Sequence, residues 1–220
     1  MENYITAAHT KIREVLYNNK NECIVWLIEY KTYKTRAYND TKNIQQYLNE
    51  IKDIAAKYNN VTLIFFNSKH DLSIKLNVDA KGVPRNSQHN NQITQFYFFG
   101  HGVIGELVLD ADFANGWENK VSWTKEDIQG EVVLLKSSIS PKAYCDSWAF
   151  NTATRDSKDG KSFSDVWKEV YGVYLHGTIG KTDYDPVGSS RYKDFRASLF
   201  GEYRKPTLGN LDKNTKSTRN

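Results

Sequence analysis

The stretch Gln95-Phe-Tyr-Phe-Phe-Gly-His-Gly102 decides the predicted fold, because an apolar and aromatic run stops at Gly-His-Gly. A buried strand that delivers His101 into a glycine-flanked turn is typical of such a pattern. A second apolar run, Ala143-Tyr-Cys-Asp-Ser-Trp148, carries Cys145, which follows His101 by 44 residues (145 − 101). The central question is whether this imidazole and this thiol meet in the folded protein.

Short apolar runs elsewhere in the chain predict further buried strands. They lie at Glu22–Tyr30, at Val61–Phe66, between Val132 and Cys145, and at Tyr171–Gly177. Cys23 falls in the first of these runs and is expected to be a small buried core residue.

Segments with helical periodicity lie between several of these predicted strands. Apolar residues recur at helical spacing over 41–58, with a cap expected in Asn39-Asp40-Thr41, and again after Gly160-Lys-Ser-Phe-Ser164. Thr124 is expected to begin a short helix, Glu106–Asp110 to form a hairpin, and the alternating segment Asp71–Val78 to form an edge strand. The pattern indicates an α/β fold with a mostly parallel central sheet and helices on both faces. We expect one domain over residues 1–204 and a disordered polar tail over 205–220.

Composition narrows the classes of function. The 220 residues carry 30 Lys and Arg against 26 Asp and Glu, a net charge of +4 that argues weakly against dedicated nucleic-acid binding. No run approaches the roughly 18 apolar residues of a membrane span, and no secretory signal opens the sequence. We therefore expect a protein without membrane contact, cytoplasmic or delivered into a target cell by a secretion system.

The cysteines and histidines do not form a metal-binding pattern. The two cysteines make no disulfide framework, no C-x-x-C spacing occurs, and the five histidines are scattered. We expect neither a metal nor another cofactor.

His101 and Cys145 each follow a buried run, and functional groups gather beyond the carboxyl ends of parallel strands. A thiol is a weak nucleophile until it loses its proton, and a neighbouring imidazole can accept that proton. The backbone N–H groups of Gly102 and Cys145 could bind a developing oxyanion. Taken separately, however, a cysteine near the end of an apolar run is usually just buried, and His176 beside Gly177 is a second choice of base.

The pattern resembles the caspase-like cysteine peptidases, a group that includes caspases, metacaspases, gingipains, legumain and separase-like bacterial domains. Phe98-Phe-Gly-His-Gly102 is similar to the His motif of that family, and Tyr144-Cys-Asp-Ser147 loosely resembles its Cys-x-Ser/Thr segment. Caspases place the histidine about 50 residues before the cysteine. Asp159-Gly-Lys-Ser-Phe163 and Val173-Tyr-Leu-His-Gly-Thr178 look like the helix opening and strand end that follow in bacterial members.

The resemblance implies a caspase-like three-layer sandwich and a cysteine endopeptidase that cleaves protein or peptide substrates through an acyl-enzyme. Cys145 would be the nucleophile and His101 the base, without a metal in the chemistry, although some relatives need calcium to become active. Asp146 and Ser147 are candidate substrate-binding residues, and Asp146 could favour a basic P1 side chain. The Gln-Ala-Cys-x-Gly signature of true caspases is absent, so aspartate specificity is not implied. Further acidic candidates are Asp112, Asp183 and Asp185.

Analogy points to a bacterial toxin, effector or defence protease, which could meet an inhibitor or immunity protein or belong to a larger parent polypeptide. Two alternatives remain. One is a catalytically inactive caspase-like domain that binds a partner, with Cys145 merely buried. The other, favoured less, is a basic nucleic-acid-binding or nuclease domain, suggested by the isoelectric point near 8.8.

Overall fold

A computed structural model describes residues 2–39, 43–110, 121–180 and 207–208. It is a mixed α/β structure with parallel sheets, and its residues cluster into two compact units. The described part of unit 1 is 2–39, 43–68 and 110, and that of unit 2 is 69–109, 121–180 and 207–208. No helix within these ranges is long and apolar enough to cross a membrane. The single domain expected from the sequence stays a prediction.

Unit 1 contains a parallel pair of strands and three helices. In chain order these are α1 (Glu2–Asn18), β1 (Ile24–Glu29), α2 (Tyr30–Asn39), α3 (Ile44–Ala55) and β2 (Val61–Phe66). β1 and β2 pair in parallel along their whole lengths, which confirms both predicted strands. α3 lies between the two strands in the sequence. It buries the apolar face that the spacing predicted, which includes Ile51.

Two local predictions in unit 1 are wrong. The cap of α3 is Asn43, whose side chain accepts from Gln45 N, rather than a residue of 39–41. Residues 40–42 themselves lie outside the described ranges. Cys23 is exposed, because β1 begins only at Ile24 and the thiol falls in the turn before it.

Unit 2 is built on a sheet in the order β3 (Ile93–Phe98), β7 (Ile139–Ser147), β8 (Leu175–Gly177) and β9 (Thr207–Leu208). β3, β7 and β8 are parallel, as predicted, and β9 runs antiparallel to β8. β9 falls in the segment expected to be a disordered tail, and the rest of that segment lies outside the described residues. Because β7 lies between β3 and β8, the strand that carries Cys145 is central to the described sheet.

A second, three-stranded sheet follows β3. It consists of β4 (His101–Val103), β5 (Glu106–Asp110) and β6 (Val121–Thr124), with β4 and β5 forming the predicted hairpin. Thr124 caps the short helix α5 (Lys125–Gln129), also as predicted. Ser162 caps helix α6 (Phe163–Tyr171), and its side chain accepts from Asp165 N.

The segment expected to be an edge strand is instead helix α4 (Lys69–Asn77). The apolar residues of this segment alternate, which favours a strand, but Leu72 and Leu76 are also four residues apart and share one face of a helix. Those two are buried, whereas Ile74 between them is 49% exposed. Val132–Leu135 forms no strand either, so the fourth predicted strand is β7 alone.

An aromatic cluster fills the core of unit 2. Trp123, Phe163 and Trp167 are almost fully buried, and Phe96 of β3 contacts Trp123 and Trp167 at ring-centroid distances of 6.1 and 5.1 Å. α6 therefore covers the face of the sheet to which Phe96 points.

Candidate active site

His101 lies just beyond the end of β3, as the sequence predicts. β3 ends at Phe98, and after two residues His101 opens β4, where it pairs with Val108 of β5. Its half-buried imidazole meets the ring of Phe150 edge-on, with centroids 5.7 Å apart and planes at 79°. One aromatic neighbour of the predicted base is therefore a phenylalanine in the turn that follows β7.

Gly102 brings the hairpin close to the same turn. A Cβ atom at this position would overlap the carbonyl oxygen of Phe150 and would lie 2.9 Å from Ala149 Cβ. Only a glycine lets the two backbones approach so closely. The space that the missing side chain of Gly102 leaves is therefore filled by residues 149–150 of the chain itself.

Cys145 does not lie at the rim of the sheet. β7 continues to Ser147, so the cysteine sits two residues inside the strand, opposite Phe96 of β3 and Leu175 of β8. Its side chain is fully buried. Neighbours directly opposite in a parallel sheet point to the same face, so the thiol faces the aromatic core of unit 2.

Burial raises the pKa of the Cys145 thiol to about 12. The indole of Trp167 opposes this rise without cancelling it, and the carboxylate of Asp146 adds to it. At pH 8 a thiol with that pKa is ionised in roughly one molecule in ten thousand. A thiolate nucleophile is therefore almost absent in this arrangement.

The predicted dyad is not assembled among the described residues. Cys145 makes no hydrogen bond to His101 there, and the thiol faces Phe96 and Trp167 whereas the imidazole faces Phe150. The predicted oxyanion site of Gly102 and Cys145 is not formed either. The backbone of Cys145 is flanked by β3 and β8 and belongs to the hydrogen-bonded ladder of the sheet.

Asp146 and Ser147 are both buried, at 2% and 0% exposure. Asp146 alternates with Cys145 along β7 and lies in register with Tyr97 and His176, on the opposite face of the sheet from the thiol. Ser147 bonds Thr152 at 2.9 Å between side-chain oxygens. Neither residue presents its side chain to a substrate at the surface.

A buried hydrogen-bond network fixes the turn after β7. Thr152 and Thr178 donate from their hydroxyls to the carbonyl of Ala149 at 3.0 and 2.7 Å, and Ser164 donates from its hydroxyl to the carbonyl of Thr152 at 3.2 Å. Buried hydroxyls that are satisfied in this way hold a backbone in one conformation. Phe150, in the middle of the turn, is consequently held in place against His101.

Sequence reasoning missed Phe150 and the threonines around it. A signal was present, because the small residues Ala143, Cys145 and Ser147 alternate with Tyr144 and Asp146 in the sequence. That alternation marks an inward-facing row, and the residues after the row are the ones that reach the rim.

No base for Cys145 is found among the remaining candidate residues that the structure describes. His176 stacks against Tyr144, with centroids 5.0 Å apart and planes at 31°, on the face of the sheet opposite the thiol. Asp112, Asp183 and Asp185 lie outside the described residues. Within the described residues no three His, Cys, Asp or Glu side chains are grouped to hold a metal.

No protein-family model, no curated protein and no solved structure matches this chain.

Proposed function

We propose that this chain contains a caspase-like domain that binds a protein partner and does not cleave peptide bonds with Cys145. The order of elements in unit 2 supports the caspase-like three-layer sandwich. β3 leads into His101-Gly102, β7 pairs beside β3 in parallel, and α6 and β8 follow.

One observation carries the non-catalytic part of the proposal. The thiol that should attack a substrate is fully buried in the aromatic core, opposite Phe96 and Leu175. A thiol that a substrate does not reach cannot act as the nucleophile.

An exposed apolar patch supports partner binding. Ile74, Val132 and Leu135 are 49%, 51% and 44% exposed. They belong to α4 and to the segment it contacts, where Ser73 donates from its hydroxyl to the carbonyl of Val132 at 2.9 Å and Asn77 accepts from Leu135 N at 2.9 Å. Large apolar side chains grouped on a surface mark interaction sites more often than isolated ones do.

The test is a peptide-library cleavage profile of the wild-type chain beside Cys145→Ala. We expect no cleavage above background from either protein. Cleavage by the wild type that the substitution abolishes would overturn the proposal.

The cysteine endopeptidase remains the second candidate, and one observation favours it. His101 and Gly102 follow the strand that is paired with the cysteine-bearing strand, the neighbour relationship that the resemblance requires. For this candidate to hold, β7 would have to shift so that Cys145 left the core. Its role as a bacterial effector, toxin or defence protease rests on the resemblance alone.

A further inference from the structure

Two carboxylates and one threonine converge in unit 1. Glu29 is the last residue of β1, Thr32 lies in the first turn of α2, and Asp110 is the last residue of β5. The backbone N–H of Thr32 donates to Oε2 of Glu29, and the Thr32 hydroxyl donates to Oδ1 of Asp110 at 3.4 Å. A single residue therefore contacts both acidic side chains.

No side chain that the structure describes balances the negative charge of this pair. Glu29 is only 9% exposed, and its Oε1 atom is buried without a hydrogen-bond partner. Among the described residues no lysine or arginine forms an ion pair with Glu29 or Asp110. A cation beside Oε1 would satisfy the unpartnered oxygen and balance the two carboxylates.

Capping of α2 explains only half of this arrangement. Oε2 of Glu29 accepts the third backbone N–H of the helix, which is the ordinary role of a capping side chain. The cap leaves Oε1 unsatisfied and does not account for Asp110. A buried polar atom without a partner calls for an explanation of its own.

We propose that Glu29, Asp110 and Thr32 bind a hard divalent cation, Ca²⁺ or Mg²⁺. The three side chains offer only oxygen ligands, which these ions prefer, and Mg²⁺ is usually held by one or two carboxylates with water in the other positions. Asp110 is half-buried, so water can complete the coordination from its side.

A metal ion fits the pair better than a basic side chain does. A guanidinium prefers both oxygens of one carboxylate, and Oε2 of Glu29 is already occupied by Thr32 N. Oε1 is closed to solvent and has no hydrogen-bond partner. A metal also takes single oxygens from different residues, which is what this site offers.

Calorimetric titration of the full chain tests the site, with CaCl₂ and MgCl₂ added in separate experiments near neutral pH. We expect one ion per chain, with a dissociation constant of about 10⁻⁴–10⁻³ M for a site with so few protein ligands. Glu29→Gln and Asp110→Asn should each weaken binding at least about tenfold. Asp53→Asn, an exposed acid on α3, is the matched control and should bind as the wild type does.

Absence of binding by the wild type to either salt at about 10 mM, tenfold above the weakest natural calcium sites, would overturn the proposal. Equal binding by the wild type and Asp110→Asn would overturn it as well, because the ion would then lie elsewhere. The ion should also raise the melting temperature of the wild type and not that of Asp110→Asn. If Glu29→Gln fails to fold, the wild type and Asp110→Asn alone decide the outcome.

Discussion

The imidazole of His101 and the ring of Phe150 meet edge-on, 5.7 Å apart between centroids, at the carboxyl end of the β3–β7 pair. Position 150 in the turn after β7 therefore faces the predicted base, whereas position 145 faces the aromatic core. The sequence predicted that the histidine and the cysteine share one site, but the structure places them in different surroundings. The chain has a histidine at the rim of its sheet and a cysteine in its core.

Phe150→Cys should place a thiol next to His101. We expect this thiol to react with iodoacetamide at least about tenfold faster than the same thiol in a His101→Ala background, since a neighbouring base promotes ionisation. The measurement uses a chain in which Cys23 and Cys145 are replaced by alanine, so that mass spectrometry follows a single cysteine. Equal rates with and without the imidazole would show that position 150 does not face His101 in solution.

The stability of the protein in alkali should depend on Cys145. An unfolded thiol ionises near pH 9.0, whereas the folded thiol keeps its proton up to about pH 12. Between these values the folded state binds more protons, so the free energy of unfolding falls as pH rises, by up to about 1.4 kcal/mol per pH unit. Buried tyrosines such as Tyr171 contribute in the same direction.

The contribution of the cysteine is isolated by comparing urea unfolding of the wild type and Cys145→Ala between pH 8 and pH 10.5. We expect a shallower decline for the variant, whereas Cys23→Ala, which removes the exposed thiol, should decline like the wild type. Parallel curves for all three proteins would mean that the Cys145 thiol ionises as readily in the folded state as in the unfolded one.

Gly102→Ala should destabilise the protein by about 1–3 kcal/mol, because the new methyl group would overlap the Phe150 carbonyl and approach Ala149 Cβ to 2.9 Å. Gly130→Ala is the matched control. A Cβ there lies 3.3 Å from its nearest neighbour, a flexible valine methyl, and the backbone φ of −85° suits any residue. An equally small effect of both substitutions, measured by urea unfolding, would contradict the close packing of β4 on the turn.

Much of the fold was predictable because local signals agreed with the tertiary structure. β1, β2 and β3 are short apolar runs bounded by polar residues, and α6 begins at a serine with an aspartate three residues later. Runs and caps of this kind predict the same secondary structure regardless of their position in the fold. The α/β class with parallel strands followed directly.

The errors arose where two local interpretations were equally good. The alternating apolar residues of α4 fit both a strand and a helix, and only packing within unit 2 selects the helix. Cys145 lies near the end of an apolar run, but how far the strand continues is set by its pairing with β3 and β8. Two extra residues of strand moved the thiol from the rim to the core.

The reactivity of Cys145 in the folded protein tests the central claim most directly, and the chain supplies its own control in the exposed Cys23. The measurement is peptide mass spectrometry after timed iodoacetamide labelling of the native wild type at pH 8. We expect Cys23 to be modified and Cys145 to remain unmodified until the protein is unfolded. Labelling of native Cys145 at least as fast as Cys23, and its loss in His101→Ala, would contradict the account and restore the cysteine peptidase.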